Sequence, residues 1–252
     1  MKIAMMQPTF LPWQGFFELI IQSDRFIFLD DFQLSVQSHH TRNKLFMSSK
    51  VVGFYNVPIQ KSKCFGLPLN EVLIVEGDIW KKKFLKRLIG VYSKAEYFNL
   101  LYPQLEKWIS KDYKSLSELN IEGIKLICRI IGITNKNFLY SSQCDREDYS
   151  YSVRSQKIVS LLKWAEATEY LSAFGAYNYM AEDNILCFSN IHIMFQNFIP
   201  KQYCQIHSKE FIPYLSILDA LFNVGPENTL KLVANGTEKW LTWEGRRLYE
   251  GE

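Results

Sequence analysis

The sequence lacks the features that define several common classes of protein. Its five cysteines are far apart and form no Cys-x-x-Cys pair, which argues against a disulfide framework and against a zinc site. No stretch approaches the ~20 consecutive apolar residues of a membrane span, and the first residues lack the apolar core and cleavage site of a signal peptide. We therefore expect a cytoplasmic protein with reduced thiols and no stable membrane insertion.

Motifs for phosphate binding and for well-known hydrolytic chemistry are also missing. The chain contains neither of the glycine-rich patterns GxGxxG and GxxxxGK[ST], no GxSxG nucleophile elbow and no HExxH metal motif. The formal net charge is only +3, and Lys and Arg are spread along the chain, so nothing indicates a DNA partner. The one basic cluster, residues 81–87, is typical of a solvated helix face. We expect no metal ion at the site.

What the sequence does contain is a βαβ unit at its start. The short segments 2–4 and 25–29, apolar after a first basic residue, are typical of strands, and the periodic segment 16–21 between them is typical of a helix. Such units carry parallel strands and bind ligands beyond the carboxyl ends of those strands. We therefore expect Gln7 and Pro8 to lie near the polar residues that follow the second strand.

The rest of the chain alternates between strand and helix patterns. With 252 residues, of which 48% are apolar, it can bury a substantial core. The alternation predicts an α/β, Rossmann-like fold with a mostly parallel sheet, built as one domain over residues 1–252. Its parts are a strand-rich segment 1–76, an inserted helical block 77–133, an α/β return 134–235 and a tail 236–252. The finer predictions are a polar loop 34–49, strands 51–59, 72–75, 137–140 and 191–195, helices 80–91, 97–109, 116–131, 153–165, 215–223 and 226–233, and a packed core position for His192.

Asp30 and Asp31 end the second strand and are the first catalytic candidates. Either could act as general base toward an amine or hydroxyl, or the pair could hold a divalent cation together with substrate phosphates. Alternatively, the two carboxylates cap the loop that follows. Because side chains alternate along a strand, we expect only one of the two to face the site.

The polar loop after this strand carries the second group of candidates. A loop of this length that contains His, Arg and Asn is more often functional than a plain connector. Arg42 offers a rigid fork for phosphate or carboxylate, and Asn43 can donate to or accept from a sugar or acyl group. His39 is a further catalytic candidate. The alternative is that the whole loop is simply solvated.

Two turns are candidate binding elements. The turn from Pro12 to Gly15 has a backbone held in one shape and could receive an anion at the N-terminus of the helix that follows it. A second turn, from Ser172 to Tyr179 around Gly175, could face the same edge of the sheet. For this second turn a purely structural role is the alternative.

Blocks along nearly the whole chain resemble the WbqC-like family. They include Gln7-Pro8, Leu11-Pro12-Trp13, Gly15, Asp24, Asp30-Asp31 with Gln33, Arg42-Asn43, Tyr92, Tyr97-Phe98, Gly132-Ile133, Tyr170-Leu171-Ser172 with Gly175 and Tyr179, Tyr203 with Gln205, and the run from Ser216 to Gly225. The loop departs from the family pattern at two positions, because Trp is expected where His39 stands and Asn where Thr41 stands. A fainter likeness, to adenylate-forming enzymes of the pantothenate synthetase type, covers the first strand and Trp13-Gln14-Gly15-Phe16, where both histidines of their HxGH signature are missing.

The family resemblance implies a bacterial protein from gene clusters for O-antigen or related surface polysaccharide. A member of the family has been suggested to transfer glycine, forming an amide on an amino sugar. This implies an acyl or aminoacyl transferase whose small-molecule substrate is an amino sugar, expected to be nucleotide-linked. The acyl donor stays open between a coenzyme A thioester, an aminoacyl-tRNA and an ATP-derived adenylate.

Two alternatives remain, a non-catalytic sugar-nucleotide binding protein and an ATP-dependent adenylate-forming ligase. The protein could form an oligomer under any of these functions. The candidates for catalysis are Asp30, Asp31 and His39, and those for substrate binding are Gln7, Pro12, Trp13, Gly15, Gln33, Arg42, Asn43, Ser172, Gly175, Tyr177, Tyr179 and Asp219.

Overall fold

The computed structural model describes residues 1–35, 38–64, 66–152, 155–184 and 190–249. Two 3-10 turns, Ser141–Gln143 and Phe174–Ala176, occur in these ranges. The strands and helices are, in chain order, β1 (Lys2–Met6), α1 (Gln14–Gln22), β2 (Arg25–Phe28), β3 (Arg42–Ser48), β4 (Val51–Asn56), α2 (Lys61–Cys64), α3 (Ile79–Tyr92), α4 (Phe98–Ile109), α5 (Leu116–Ile130), β5 (Asn137–Tyr140), α6 (Glu147–Tyr151), α7 (Ser155–Trp164), β6 (Glu169–Ser172), α8 (Tyr177–Glu182), β7 (His192–Phe195), α9 (Ile217–Ala234) and α10 (Trp243–Leu248).

Five of the strands form a parallel sheet in the order β5-β2-β1-β6-β7. The central strand β1 pairs in parallel with β2 on one side and with β6 on the other. It is almost continuously apolar, as expected for a strand whose two faces are both covered. The βαβ unit and the α/β, Rossmann-like fold predicted from the sequence are both confirmed. The remaining two strands, β3 and β4, form a separate antiparallel hairpin.

Helices cover both faces of the sheet, so the side chains of each strand alternate between two hydrophobic cores. In β1, Ala4 packs into the larger core together with α1, whereas Ile3 and Met5 pack into the smaller core together with α7 and α8. The helical block α3–α5 and the helix α9 also pack into the larger core. The block therefore shares its apolar contacts with the sheet rather than forming a core of its own.

The start of α5 follows the capping pattern that the sequence predicts. The Ser115 hydroxyl accepts a hydrogen bond from the backbone N–H of Glu118 at 3.2 Å. The Glu118 carboxylate in turn accepts from the backbone N–H of Lys114 at 2.7 Å, one residue before the cap. These two bonds satisfy N–H groups that have no partner within the helix.

A crevice opens between the carboxyl ends of β1 and β6. The connection that leaves β1 runs through α1 to β2, whereas the connection that leaves β6 runs through α8 to β7, so the two diverge toward opposite sides of the sheet. The helices of these connections also pack on opposite faces. In open α/β sheets such a switch point is where ligands bind.

The hairpin corrects two predictions for residues 34–75. The predicted loop over 34–49 contains β3, which the sequence did not indicate because Arg42, Asn43, Lys44 and Ser48 give this segment a polar composition. The predicted strand over 51–59 ends as β4 at Asn56, before Pro58, which has no N–H to donate to a ladder. Residues 36–37 of the predicted loop lie outside the described ranges.

Two further predictions differ from the structure. The strand predicted over 72–75 is reduced to one bridge between Ile74 and Ile59, and the Val72 carbonyl accepts from the start of α5 instead of a neighbouring strand. His192 is exposed at the first position of β7, not packed in the core. The predicted helix 153–165 is present as α7, with residues 153–154 outside the described ranges, and the tail contains α10, which the sequence did not predict.

Candidate functional site

A cavity of about 700 Å³ occupies the crevice at the switch point. This volume lies within the range of small-molecule sites, roughly 300–1,000 Å³. The end of β1 and the segment after it contribute Met5, Met6, Gln7 and Thr9, and the end of β6 with the turn after it contributes Ser172, Ala173, Gly175 and Ala176. The rest of the lining consists of three apolar residues and six that carry polar groups, namely Leu29, Phe32 and Ile158, and His39, His40, Tyr170, Tyr179, Glu182 and Asp183.

His40 and Gln7 form one polar wall of the cavity. The backbone N–H of Ser35 donates to His40 Nδ1 at 3.4 Å, so the ring proton sits on Nε2, which donates to Gln7 Oε1 at 3.2 Å. The Gln7 amide then donates to the Gln33 carbonyl at 3.1 Å. Burial lowers the pKa of His40 to about 4, with a smaller contribution from the neighbouring His39. His40 is therefore a neutral, oriented side chain at physiological pH.

Asn120 of α5 stabilises this wall through buried hydrogen bonds. Its amide group donates to the carbonyl of Pro8 at 3.0 Å and to the carbonyl of His40 at 2.8 Å. One buried side chain thus joins the loop after β1 to the loop after β2. Asn120 therefore holds together the two loops that form this wall.

Hydroxyl groups line the β6 side of the cavity. Ser172 is buried, and its hydroxyl forms no well-aligned hydrogen bond. The Ser172 hydroxyl nevertheless lies close enough to the Tyr170 phenol to lower the pKa of that phenol. The net effect of burial still raises the pKa of Tyr170 to about 12. The ring of Tyr179 is partly exposed, whereas desolvation of its hydroxyl end, next to Tyr170, raises the pKa of Tyr179 strongly. These phenols stay protonated and can donate hydrogen bonds to a ligand.

The end of α8 adds two carboxylates to the lining. Glu182 is exposed, and Asp183 is half-buried. One Asp183 oxygen accepts from the backbone N–H and the hydroxyl of Ser155, at 3.2 and 2.8 Å, and so ties α8 to the first residue of α7. The carboxylates give this part of the cavity a negative potential, which favours a cationic group such as an ammonium.

His39 lies at the rim of the cavity and is largely exposed. Partial desolvation, together with the positive charges of Arg42 and Lys44, lowers the pKa of His39 below its usual value of 6.5. The imidazole is therefore mainly neutral at pH 7, which is the form that can accept a proton.

Asp30 and Asp31 do not line the cavity and instead hold the loop that follows β5. Asp30 accepts from the backbone N–H of Ser142 at 3.0 Å and from its hydroxyl at 2.6 Å. Asp31 accepts from the Tyr149 hydroxyl at 2.8 Å, and both carboxylates lie within hydrogen-bonding distance of the Ser141 hydroxyl. Both side chains reach the same residue because β2 ends at Phe28 and the two aspartates lie in a turn. The expectation that they point in opposite directions is therefore wrong.

The turn from Pro12 to Gly15 is a packing corner against the N-terminus of α9. The Pro12 carbonyl accepts from the backbone N–H of Ile217 at 3.0 Å. The Trp13 ring lies over Gly15, where an added Cβ would approach it to 2.5 Å, and contacts the Phe198 ring at a centroid distance of 5.0 Å. These residues lie outside the lining of the cavity.

Asn43 and Asp219 likewise have structural contacts away from the cavity. The Asn43 amide donates to the carbonyls of Phe10 at 3.1 Å and of Leu11 at 2.8 Å, where Leu11 has a positive φ of 46°. Asp219 is fully buried and accepts hydrogen bonds from three side chains, with distances of 2.8 to 2.9 Å; burial raises its pKa, and the three donors oppose this shift. The donors to Asp219 are Tyr92, Tyr203 and Gln205.

The structure thus brings five of the sequence candidates together and leaves the others elsewhere. Those in the lining are Gln7, His39, Ser172, Gly175 and Tyr179, whereas Asp30, Asp31, Pro12, Trp13, Gly15, Gln33, Arg42, Asn43, Tyr177 and Asp219 lie outside it.

Of the adjacent pair His39-His40 in the polar loop, only His39 is among the sequence candidates, although His40 also lines the cavity. Sequence reasoning missed Glu182 and Asp183 altogether. The two acidic residues follow a short helix after the second turn, and no motif distinguishes them.

Two features are absent from the described part of the chain. Across these ranges no group of three or more His, Cys, Asp or Glu side chains is arranged to hold a metal ion. Nor does any helix within the described ranges have both the length and the apolar character needed to cross a bilayer.

The fold and the cavity define an α/β protein with a crevice of small-molecule size at the switch point of a parallel sheet. The chain belongs to the WbqC-like protein family, whose model matches residues 7–231. It is 30% identical over 229 residues to the uncharacterized protein Rv1507c of Mycobacterium tuberculosis, an alignment that covers 90% of this chain and 95% of that protein. No solved structure matches the chain.

Proposed function

We propose that this protein is an acyl or aminoacyl transferase that forms an amide on the amine of an amino sugar. The substrate is a nucleotide-linked sugar in the biosynthesis of bacterial O-antigen or a related surface polysaccharide, and the donated group is of the glycine type. The observation that carries the proposal is that one cavity is lined both by His39 and by the carboxylates of Glu182 and Asp183.

The carboxylates suit the binding of an amine substrate. An amino sugar carries an ammonium group at neutral pH, and the negative potential at the end of α8 attracts it. Gln7 and Ser172 supply hydrogen-bonding groups for sugar hydroxyls. The apolar lining from Met5, Leu29 and neighbouring residues excludes water from the rest of the ligand.

His39 is the general base in this proposal. The amine must lose a proton to become a nucleophile, and the neutral His39 imidazole can accept it. The amine nitrogen then forms a bond to the acyl carbonyl carbon, and the bond from that carbon to the thiol, ribose hydroxyl or adenylate phosphate of the donor breaks. A departing thiolate or ribose oxygen takes up the proton that the imidazolium returns, whereas AMP departs as the phosphate anion. Every other proton that the original ammonium loses passes to solvent. Asp30 and Asp31 have a positioning role in this scheme, since they fix the loop after β5.

Product formation tests the proposal directly. The purified protein is incubated with a UDP-linked 2-amino sugar and, in separate reactions, with glycyl-tRNA, with glycine and ATP, and with acetyl coenzyme A. We expect mass spectrometry to show the acylated sugar with one of these donors, and pyrophosphate release would identify the ATP route. The absence of product with every donor would contradict the proposal.

A matched pair of histidine variants tests the base. His39→Asn removes the proton acceptor at the rim, and we expect the rate to fall by about 100-fold. His192→Asn makes the same change at an exposed position on β7 and should leave the rate unchanged. In the unmodified protein the rate should fall as the pH drops through the lowered pKa of His39, because the protonated ring cannot accept a proton. Equal rates for the two variants would show that His39 is not the general base.

A non-catalytic sugar-nucleotide binding protein is the second candidate function. The observation that favours it is that Asp30 and Asp31 are occupied by hydrogen bonds to the loop after β5 and do not line the cavity. In that case calorimetry would show binding of the UDP-linked amino sugar, while mass spectrometry would show no product with any donor.

A further inference from the structure

The outer face of the β3–β4 hairpin carries a group of aromatic and cationic side chains at the mouth of the cavity. Lys44 and Phe54 are direct partners across the hairpin, and both are exposed. The Arg42 guanidinium lies 4.4 Å from the centre of the Phe54 ring, and the Lys44 ammonium lies 5.8 Å from it. We refer to Arg42, Lys44 and Phe54 as the cation–aromatic platform.

The platform is continuous with the cavity through His39. The His39 ring lies 6.1 Å from the Phe54 ring, centre to centre, and His39 is itself part of the cavity lining. The opposite face of the hairpin is turned into the protein, where Asn43 and Leu45 are buried. The fold therefore presents the platform outward, next to the residue at the rim.

This combination of side chains suits a nucleotide. An aromatic ring and a guanidinium plane both provide surfaces on which a base can stack. Arg and Lys beside that surface complement the charge of a phosphate. The lining of the cavity contributes carboxylates instead, so the cavity and the platform differ in charge and are suited to different parts of a ligand.

We propose that the cation–aromatic platform binds the adenosine phosphate portion of the acyl donor, so that the acyl group enters the cavity past His39. This inference rests on the proposed transferase function and adds a second binding region to it. A coenzyme A thioester, an aminoacyl-tRNA and an adenylate all carry an adenosine with phosphate, and the platform recognises what they share.

Binding of adenosine 3′,5′-bisphosphate to the complete protein, measured by calorimetry, tests the inference without any turnover. We expect Phe54→Ala and Phe54→Leu to weaken this binding by about tenfold, because both remove the stacking ring. Phe54→Tyr keeps a ring and should bind as the unmodified protein does. Lys44→Met should weaken binding several-fold and reduce its dependence on salt. Lys107→Met removes one positive charge from an exposed position on α4 and serves as the control for net charge.

Two further probes distinguish the sources of the adenosine. Tighter binding of coenzyme A than of the bisphosphate would indicate a thioester donor, and tighter binding of an RNA hairpin with an unpaired CCA end would indicate an aminoacyl-tRNA. Each of these results supports the platform, provided that the binding is lost in Phe54→Ala. Thermal unfolding of each variant shows whether the hairpin remains folded.

Failure of the platform and failure of the transferase give different results. If the unmodified protein binds none of the three probes, or if Phe54→Ala and Lys107→Met bind them equally, the platform is wrong, whether or not the protein forms an amide. If Phe54→Ala loses nucleotide binding while no donor gives product, the platform is supported and the transferase proposal alone is wrong.

Discussion

At the scale of single residues, the walls of the cavity depend on buried neutral side chains. His40 is only 4% exposed and bridges the Ser35 backbone and the Gln7 side chain. Asn120 is 1% exposed and joins two loops through one amide. Such groups contribute their hydrogen bonds only in one protonation state or one orientation, so each of them leads to a specific prediction.

The first prediction concerns the stability of the protein in mild acid. The pKa of His40 falls from 6.5 in the unfolded chain to about 4 in the folded protein. Between these values the unfolded chain binds more protons, so the free energy of unfolding rises with pH. Stability is lost as the pH falls from 6.5 to about 4, by about 3 kcal/mol in total from this residue. Urea unfolding at pH 7, 5.5 and 4.5 measures the loss.

A variant that cannot titrate isolates the contribution of His40. His40→Gln should be less stable at pH 7, but its free energy of unfolding should fall less between pH 7 and 4.5 than that of the unmodified protein. His192→Gln removes an exposed histidine and should keep the full pH dependence. Identical pH profiles for the two variants would show that His40 does not carry the effect.

The second prediction concerns Asn120. In Asn120→Ala the carbonyls of Pro8 and His40 both lose their donor, and we expect the free energy of unfolding to fall by about 1–3 kcal/mol. Asn120→Asp should cost more at pH 7, because a carboxylate replaces the donor and faces two carbonyl oxygens. Asn228→Ala, at an exposed position of α9, is the control. Chemical unfolding measures all three, and an Asp variant as stable as the Ala variant would contradict this account.

At the scale of elements, long periodic segments were predictable and half-exposed ones were not. The unit β1–α1–β2 was predicted because its strands are buried on both faces and its helix has a clear apolar period. The strand β3 was missed because Arg42, Asn43, Lys44 and Ser48 give its segment a polar composition, whereas its partner β4 was predicted as part of the strand 51–59. The helix α10 lies in the tail, where the apolar residues do not recur with a clear helical period.

The candidate site was predictable to the extent that strand ends define it. Gln7 and Ser172 lie at the carboxyl ends of β1 and β6, and position along the chain was enough to place them. Asp30 also follows a strand, but its partners are donors more than 100 positions away, around Ser142, and local sequence does not reveal them. Which of two adjacent histidines is buried depends in the same way on the loops packed around them.

The third prediction tests a break within α9. Gly225 has a φ of 77° inside this element and divides it into two helical segments, as the sequence predicted. An added Cβ would also approach the Tyr97 ring to 2.5 Å, so we expect Gly225→Ala to lower the free energy of unfolding by about 1–3 kcal/mol. Gly90→Ala, in the last turn of α3 with open space around the glycine, should raise it by about 0.5 kcal/mol. Urea unfolding gives both values, and a neutral Gly225→Ala would show that the break is not required.

At the scale of the whole molecule, the tail completes the central sheet. On the outer side of β7, Phe195 and Leu241 exchange two backbone hydrogen bonds of 2.8 and 2.9 Å. Trp243 then packs against the rings of Phe195 and Tyr177. This contact covers a strand edge that could otherwise pair with another chain, and it covers part of the smaller core as well.

The last prediction follows from that contact. A chain that ends at Lys239 loses both the bridge to β7 and the aromatic cover, so we expect its free energy of unfolding to fall by at least about 3 kcal/mol and its light scattering to rise with concentration. A chain that ends at Tyr249 keeps both and should behave as the complete protein. Within the full chain, Leu241→Pro removes the N–H that donates to Phe195, whereas Leu241→Ala keeps it. We expect edge protection to be the main role of the tail, so that Leu241→Pro scatters more light than Leu241→Ala when both are compared at equal free energies of unfolding. Greater light scattering from Leu241→Ala would instead show that the main role of the tail is apolar burial.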